Sequence, residues 1–260
     1  VNRTALALLA LAAPLTTVSA LAAPVDARAS YVLTVGGINV ALIDVDLDDD
    51  GARYGLDLSA TVTGLGSVVA SGMAKASASG SSSGASLQSD SFKLETRANG
   101  EVFNVSVGYA GGRVTAFQVE PPVYETPDRV PVERSHLNGV GDFLSAFVLK
   151  ADALDRKLCE RNFGIFTGVE RFNIRMGFLD TDEATSPRTG YQGPLVACSV
   201  KYQPVSGHFE SSEITSYLAG ESRIVLWYAP LGATGYYVPY RVILGTSMGD
   251  LSLVLTRAQS

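Results

Sequence analysis

The sequence predicts a mainly β protein: one large curved antiparallel sheet, forming a β-spiral or incomplete β-barrel, with one covering α-helix. Three observations predict it. Apolar and polar residues alternate with period two, as where Ile43, Val45 and Leu47 interleave with Asp44, Asp46 and Asp48. That alternation marks strands with one buried and one wet side. Gly and Pro pairs cut the pattern at short intervals, and one stretch alone, HLNGVGDFLSAFVLKADALDRKLC, changes to helical spacing. About 12 to 14 such strands cannot lie as a flat open sheet without exposed edges, so they must roll into a barrel or spiral or split into a sandwich.

The chain opens VNRTALALLALAAPLTTVSALAAP: Arg3, an apolar run broken by Pro14, then small residues at Ala20 and Ala22. This order reads as a secretory signal peptide over residues 1–22, leaving 23–260 as a single domain. The apolar run is shorter than the roughly 18 residues a spanning helix needs, and the mature chain contains no other candidate for a transmembrane segment. The whole sequence carries 20 basic and 26 acidic side chains, a formal charge of −6. No basic block or stripe interrupts that balance, which argues against a nucleic-acid partner and against a surface for anionic membranes.

Past the leader, Gly36–Gly37 divides YVLTVGGINVALIDVDL into two strands, and RYGLDLSATV continues with Tyr54, Leu56 and Leu58 on one face. TGLGSVVASGMAKASA is a further turn and strand whose small residues indicate close packing or a poorly specified edge. SASGSSSGAS (77–86) reads as a flexible connection. SFKLETRANGEVFNVSVGYAGGRVTAFQVEPP is a meander, with Asn99–Gly100 as a hairpin signal, Gly111–Gly112 as the next turn and Pro121–Pro122 as its end. In the helical stretch, Leu144, Phe147 and Val148 share a stripe that Leu154 and Leu158 extend, and Asp142 stands where a cap belongs. Four more segments rich in β-branched and aromatic residues complete the sheet.

The run DVDLDDDGARYGLDL places Asp46, Asp48, Asp50, Gly51 and Asp57 nearly as a calcium loop would. Its flanks alternate with period two, whereas the calcium-binding helix–loop–helix needs helices. The expected structure is a hairpin with Leu47 opposite Tyr54, Asp48 opposite Arg53, Asp44 opposite Asp57, and a D-D-G-A turn. A weak calcium site at Asp46, Asp48, Asp50 and Asp57 is the alternative.

Two cysteines, Cys159 and Cys198, in an exported chain read as one disulfide. Chemistry is harder to find. His136 lies beside Glu133 and His208 beside Glu210, yet no zinc, serine-nucleophile, phosphate-loop or dinucleotide motif is present. No cofactor is expected. The aromatic residues read mainly as core; an apolar cleft under the helix, involving Phe143, Phe147 and Trp227, is the alternative.

Several segments resemble the bacterial envelope family catalogued as domain of unknown function 3108. YVLTVGGINVALIDVDL is similar to its opening strand pair. GDFLSAFVLK resembles its central helix start through Asp142, Leu144, Ser145 and Ala146. FGIFTGVERFNIRM resembles the following strand through Phe166, Gly168, Arg171 and Phe172, and VPYRVILGTSMGDLSLVL the closing hairpin through Pro239, Arg241 and Gly249. The resemblance runs over roughly residues 30–256, with SASGSSSGAS and TDEATSPRTGYQG departing from the pattern. Its members are also similar in outline to an alphaproteobacterial envelope-integrity β-spiral protein containing a disulfide. The resemblance implies a periplasmic home and no reaction. The function expected from the sequence is therefore non-catalytic support of the cell envelope by binding an envelope protein, peptidoglycan or lipid. The alternatives are a lipid or lipoprotein carrier, and a hydrolase with an unrecognised carboxylate/histidine site.

Overall fold

A computed structural model describes residues 23–63, 72–220, 223–245 and 249–260. The expected leader, residues 1–22, and residues 64–71 of the Ala/Gly-rich stretch lie outside the described residues. The strands of the first half are β1 (Val25–Val35), β2 (Ile38–Asp49), β3 (Arg53–Val62), β4 (Gly72–Ser83), β5 (Ser86–Ala98), β6 (Glu101–Ala110) and β7 (Arg113–Glu120). The second half contributes β8 (Leu149–Lys150), β9 (Asn162–Phe166), β10 (Arg171–Ala184) and β11 (Gly193–Ser206). After the helix α1 (Glu213–Gly220) come β12 (Ile224–Pro230), β13 (Tyr236–Leu244) and β14 (Leu251–Gln259).

The strands form one antiparallel sheet in the order β7-β6-β5-β4-β3-β2-β1-β14-β13-β12-β11-β10-β9, with the short β8 added to β13 off that path. First and last strands therefore meet in the middle. The sheet curves but does not close into a barrel, and its two edges are β7 and β9. Residues 138–141 thread the gap between them. Asn138 bridges Arg113, Val140 N–H donates to Gly112 O at 2.9 Å, and Gly141 N–H donates to Gly164 O at 2.9 Å. Phe117 and Phe166 stack edge to face across the same gap, with centroids 5.2 Å apart. A single extended segment thus partners both edges, which otherwise would expose unpaired backbone groups.

The turns obey local chemistry. Gly36–Gly37, Asn99–Gly100 and Gly111–Gly112 each supply two successive residues of positive φ, and each closes a two-residue hairpin. The core divides into three apolar clusters. The first gathers Leu47, Tyr54, Leu56, Phe92, Phe166 and Tyr236; the second Leu149, Leu158, Cys159, Ile165, Cys198 and Tyr228; the third Tyr31, Leu195, Tyr240 and Leu255. β11 shows why a run such as LVAC has no alternation: Val196 enters the second cluster and Leu195 the third, so both faces of this strand are covered.

Three expectations are corrected. The stretch 77–86 is not a flexible connection but the end of β4, a tight turn at Gly84 and the start of β5. Its small side chains fit a crowded face, where Ala76, Ala78 and Ser82 are buried and a Cβ on Gly80 would stand 1.9 Å from Gln88 O. Next, the helix expected after Gly141 is absent: that segment turns, pairs Leu149 and Lys150 with β13, and makes a 3-10 turn at Arg156–Cys159. Leu144 and Val148 join the first cluster while Phe147 packs on the second, so the apparent stripe serves two cores. The α-helix among the described residues is α1 instead. Finally, the Asp-rich hairpin is shifted by two residues: Leu47 faces Leu56, Asp46 faces Asp57, and the turn is Asp50–Arg53. Asp50 Oδ1 accepts the N–H of Ala52 at 2.9 Å and of Arg53 at 2.7 Å, which selects this register.

Candidate functional site

The residues singled out from the sequence are placed as follows. Cys159 and Cys198 are bonded, with Cα atoms 5.4 Å apart and both sulfurs in the second cluster. The bridge ties the segment over that cluster to the middle of β11. Phe143 and Phe147 stack edge to face at 5.1 Å. Trp227 is not with them; it packs on the third cluster and donates from Nε1 to Asp182 at 3.0 Å. Asp46 is ion-paired with Arg28, which eases its repulsion from Asp57 opposite. Among the described residues no group of three or more His, Cys, Asp and Glu is arranged to hold a metal. His136 accepts the Glu133 N–H at Nδ1 within its own turn, and the carbonyl of His208 accepts from Val130.

Two buried polar clusters were not foreseen. Asp49, only 3% exposed, alternates onto the core face at the end of β2. Its Oδ2 accepts from Lys150 Nζ at 2.7 Å, Ser82 Oγ at 2.8 Å and Tyr236 OH at 2.6 Å, while Oδ1 accepts the Gly51 N–H at 2.8 Å. Burial alone would raise its carboxyl; the bonds from Lys150, Tyr236, Gly51 and Ser82 outweigh that and hold it below the usual carboxylate range. Asp142 anchors the other cluster. Its Oδ2 accepts from Ser89 Oγ, from Ser145 Oγ at 2.7 Å and from Tyr54 OH at 3.3 Å, and its Oδ1 accepts the Ser145 N–H at 2.8 Å. Asp142 therefore caps a turn, as its position promised, but inside the core rather than on a helix.

Two concavities stand out among the described residues. One, of about 570 Å³, lies across strands β2 to β7. Its lining mixes Lys75 and Lys93 with Asp46, Asp57, Glu95 and Glu120, so opposite charges alternate and no single-signed field results. The other, of about 640 Å³, lies between α1 and strands β10 to β12. Cross-strand pairing builds its floor. Arg175 on β10 faces Lys201 on β11, and the pairing of Val200 with Ile224 sets Lys201 beside Arg223. Three cations thus form one row, across β10 and β11 to the residue that precedes β12. None has an ion-pair partner among the described residues, and no acidic side chain among them lines this groove.

Apolar walls flank that row. Leu218 of α1 and Leu179 of the sheet line the groove. Tyr202, next to Lys201, turns to the opposite face, where it stacks on Phe172 of the second cluster at 5.2 Å, and burial, with a smaller push from Glu170, raises its phenol to about 12. No residue of α1 is buried, and Ile214, one turn before Leu218 on the same stripe, is 74% exposed. Sequence reasoning missed this site because its cations lie far apart along the chain, and only strand register brings them together.

No described protein family and no curated protein sequence matches the chain. Two solved structures are similar to it. One is a β-barrel-like protein of domain of unknown function DUF1849 from Brucella abortus, 10% identical, with a TM-score of 0.49, covering 92% of this chain and 99% of its own. The other is a Bacteroides fragilis protein of YmcC-like fold taken to be exported, 11% identical, with a TM-score of 0.30, covering 90% of this chain and 95% of its own. The resemblance to domain of unknown function 3108 has no matching family behind it.

Proposed function

We propose that the chain is an exported, non-catalytic binding protein of the cell envelope, and that the groove beneath α1 is where it takes its partner. One observation carries this reading: a concavity with a row of three cations that have no ion-pair partner among the described residues, roofed by a helix that buries none of its own side chains. Such a helix gains little from the fold as it stands, and an eight-residue helix has little stability of its own. A ligand that fills the groove supplies the missing contacts. The leader-like segment at residues 1–22 supports export.

The constellation closest to an enzyme is Ser82 with Lys150 and Asp49, and its bonding opposes that role. Ser82 donates to Asp49, a carboxylate held below its ordinary range and therefore a weak base, and Lys150 donates to both Asp49 and Ser82, so neither partner is set to take the hydroxyl proton. It is built to hold β2, β4, β8 and β13 together.

The reading is tested by filling the groove from both sides. Gln203→Trp and Ala219→Trp alter exposed lining residues, so the fold should persist. Native mass spectrometry of the full chain, recovered without detergent from an envelope fraction, should show a bound species in the parent and none in the double variant. A parent that is always bare, or an adduct retained by the variant, would remove the groove from consideration.

A further inference from the structure

We infer that the groove beneath α1 selects an anionic lipid, its head on Arg175, Lys201 and Arg223 and its acyl chain along Leu179 and Leu218. This rests on the groove being the binding seat, and adds the chemical class of what sits there.

The charge argument comes first. Like charges directly opposite on neighbouring strands destabilise a sheet, yet this row sets Arg175 against Lys201 and Lys201 beside Arg223. The whole chain is net negative, at −6, so the row is a local arrangement running against the overall charge. An anion would relieve the repulsion, and the arginines offer paired N–H donors suited to phosphate or carboxylate oxygens.

The apolar walls then narrow the class. A free inorganic anion would use the cations alone and make no contact with Leu179 and Leu218. Leu179 is 53% exposed at a bulge in β10, and the Ile214–Leu218 stripe of α1 continues the same wet apolar surface. An acidic peptide is the other candidate. At Ser199 and Val200, however, the floor strand is paired on both sides, with β10 and with β12. A peptide backbone there would find no strand edge to bond, whereas an acyl chain needs no hydrogen bonds. The volume of about 640 Å³ falls among small-molecule sites rather than extended protein interfaces.

The test is calorimetric titration of the full chain with lysophosphatidylglycerol below its micellar concentration. We expect binding that weakens as salt rises. Lysophosphatidylcholine, with the same tail and no net charge, should bind about tenfold more weakly, the scale of one charge-assisted hydrogen bond. Arg175→Gln combined with Lys201→Gln should cost the anionic probe about as much, with an unchanged circular dichroism spectrum. Equal affinity for the two lysolipids, abolished by Gln203→Trp with Ala219→Trp, would overturn the anionic selectivity and leave the groove standing. Inorganic phosphate binding as tightly as the lysolipid, or an octaglutamate peptide binding more tightly, would overturn it in favour of those ligands. Failure of either lysolipid to bind, or binding indifferent to the groove-filling pair, would remove lipid from this site.

Discussion

Lys150 sets its Nζ 2.7 Å from the carboxylate of Asp49, 101 residues earlier in the chain. Through Ser82 and Tyr236 the same pair touches β2, β4, β8 and β13, and its ammonium lies 5.0 Å over the Tyr236 ring. The meander of the first half and the covering segment of the second are therefore locked by one buried carboxylate.

Asp49→Asn should destabilise the protein by about 2–4 kcal/mol at neutral pH, somewhat less than for a fully buried pair because Lys150 reaches the surface. The folded-state carboxyl sits below its ordinary value. Its stabilising contribution is therefore complete above the unfolded value of about 4 and is lost as pH falls through the lower, folded value. Urea unfolding from pH 7 down to pH 3 should show a shallower acid loss in the variant than in the parent. Parallel pH profiles would assign the acid sensitivity elsewhere.

Reduction offers an independent lever. The Cys159–Cys198 bridge spans a sequence separation of 39, and loop entropy puts its contribution at about 4 kcal/mol. Replacing both cysteines by Ala should lower the urea midpoint accordingly, and the segment containing Arg156–Cys159 should become the first target of limited proteolysis. Cleavage starting instead in β1–β7 would show that the bridge does not hold this cover in place.

Which parts of this fold were legible depended on whether a local rule had a rival. Asn99–Gly100 and the two Gly pairs had none, because their positive φ values admit few other residues. The Asp-rich hairpin did have one: a shift of two residues keeps Ile43, Val45 and Leu47 on the same face, so alternation cannot choose the register. The choice fell to Asp50 bonding the turn backbone. In the segment after Gly141, Leu144 and Phe147 have helical spacing but belong to different clusters, so tertiary packing overrode the period. EITSYLAG gave little warning of α1, since an eight-residue helix with no buried side chain leaves hardly any pattern. The cation row had no sequence signal at all. Arg175 and Lys201 are exposed alternating positions on strands, and Arg223 just precedes β12, so only the sheet aligns them.

Gly80 tests the reading of the Ser/Ala/Gly stretch as packed sheet. A Cβ there would meet Gln88 O at 1.9 Å and the Tyr54 ring at 2.7 Å, so backbone and core must both move. Gly80→Ala should cost about 1–3 kcal/mol, the usual range for overpacking. Gly84→Asn, at a turn with a φ of +54° and open space around it, should be nearly neutral. Thermal unfolding of the two variants decides: equal tolerance would mean that 77–86 is the loose connection its composition resembles.

Leu144 and Phe147 separate the core from the ligand seat. Leu144 is buried at 8% exposure and packs with Val148 in the first cluster, so Leu144→Ala should cost about 2–4 kcal/mol. Phe147 is half-buried beside the exposed Phe143, and Phe147→Ala should cost less. Neither residue lines the α1 groove. Both variants should therefore bind lysophosphatidylglycerol as the parent does, at temperatures where each remains folded. Leu218→Ala reverses the pattern: its side chain borders the groove without being buried, so stability should change little while affinity falls. If Phe147→Ala weakened the lysolipid and Leu218→Ala did not, the seat would lie against the covering segment near the disulfide rather than beneath α1.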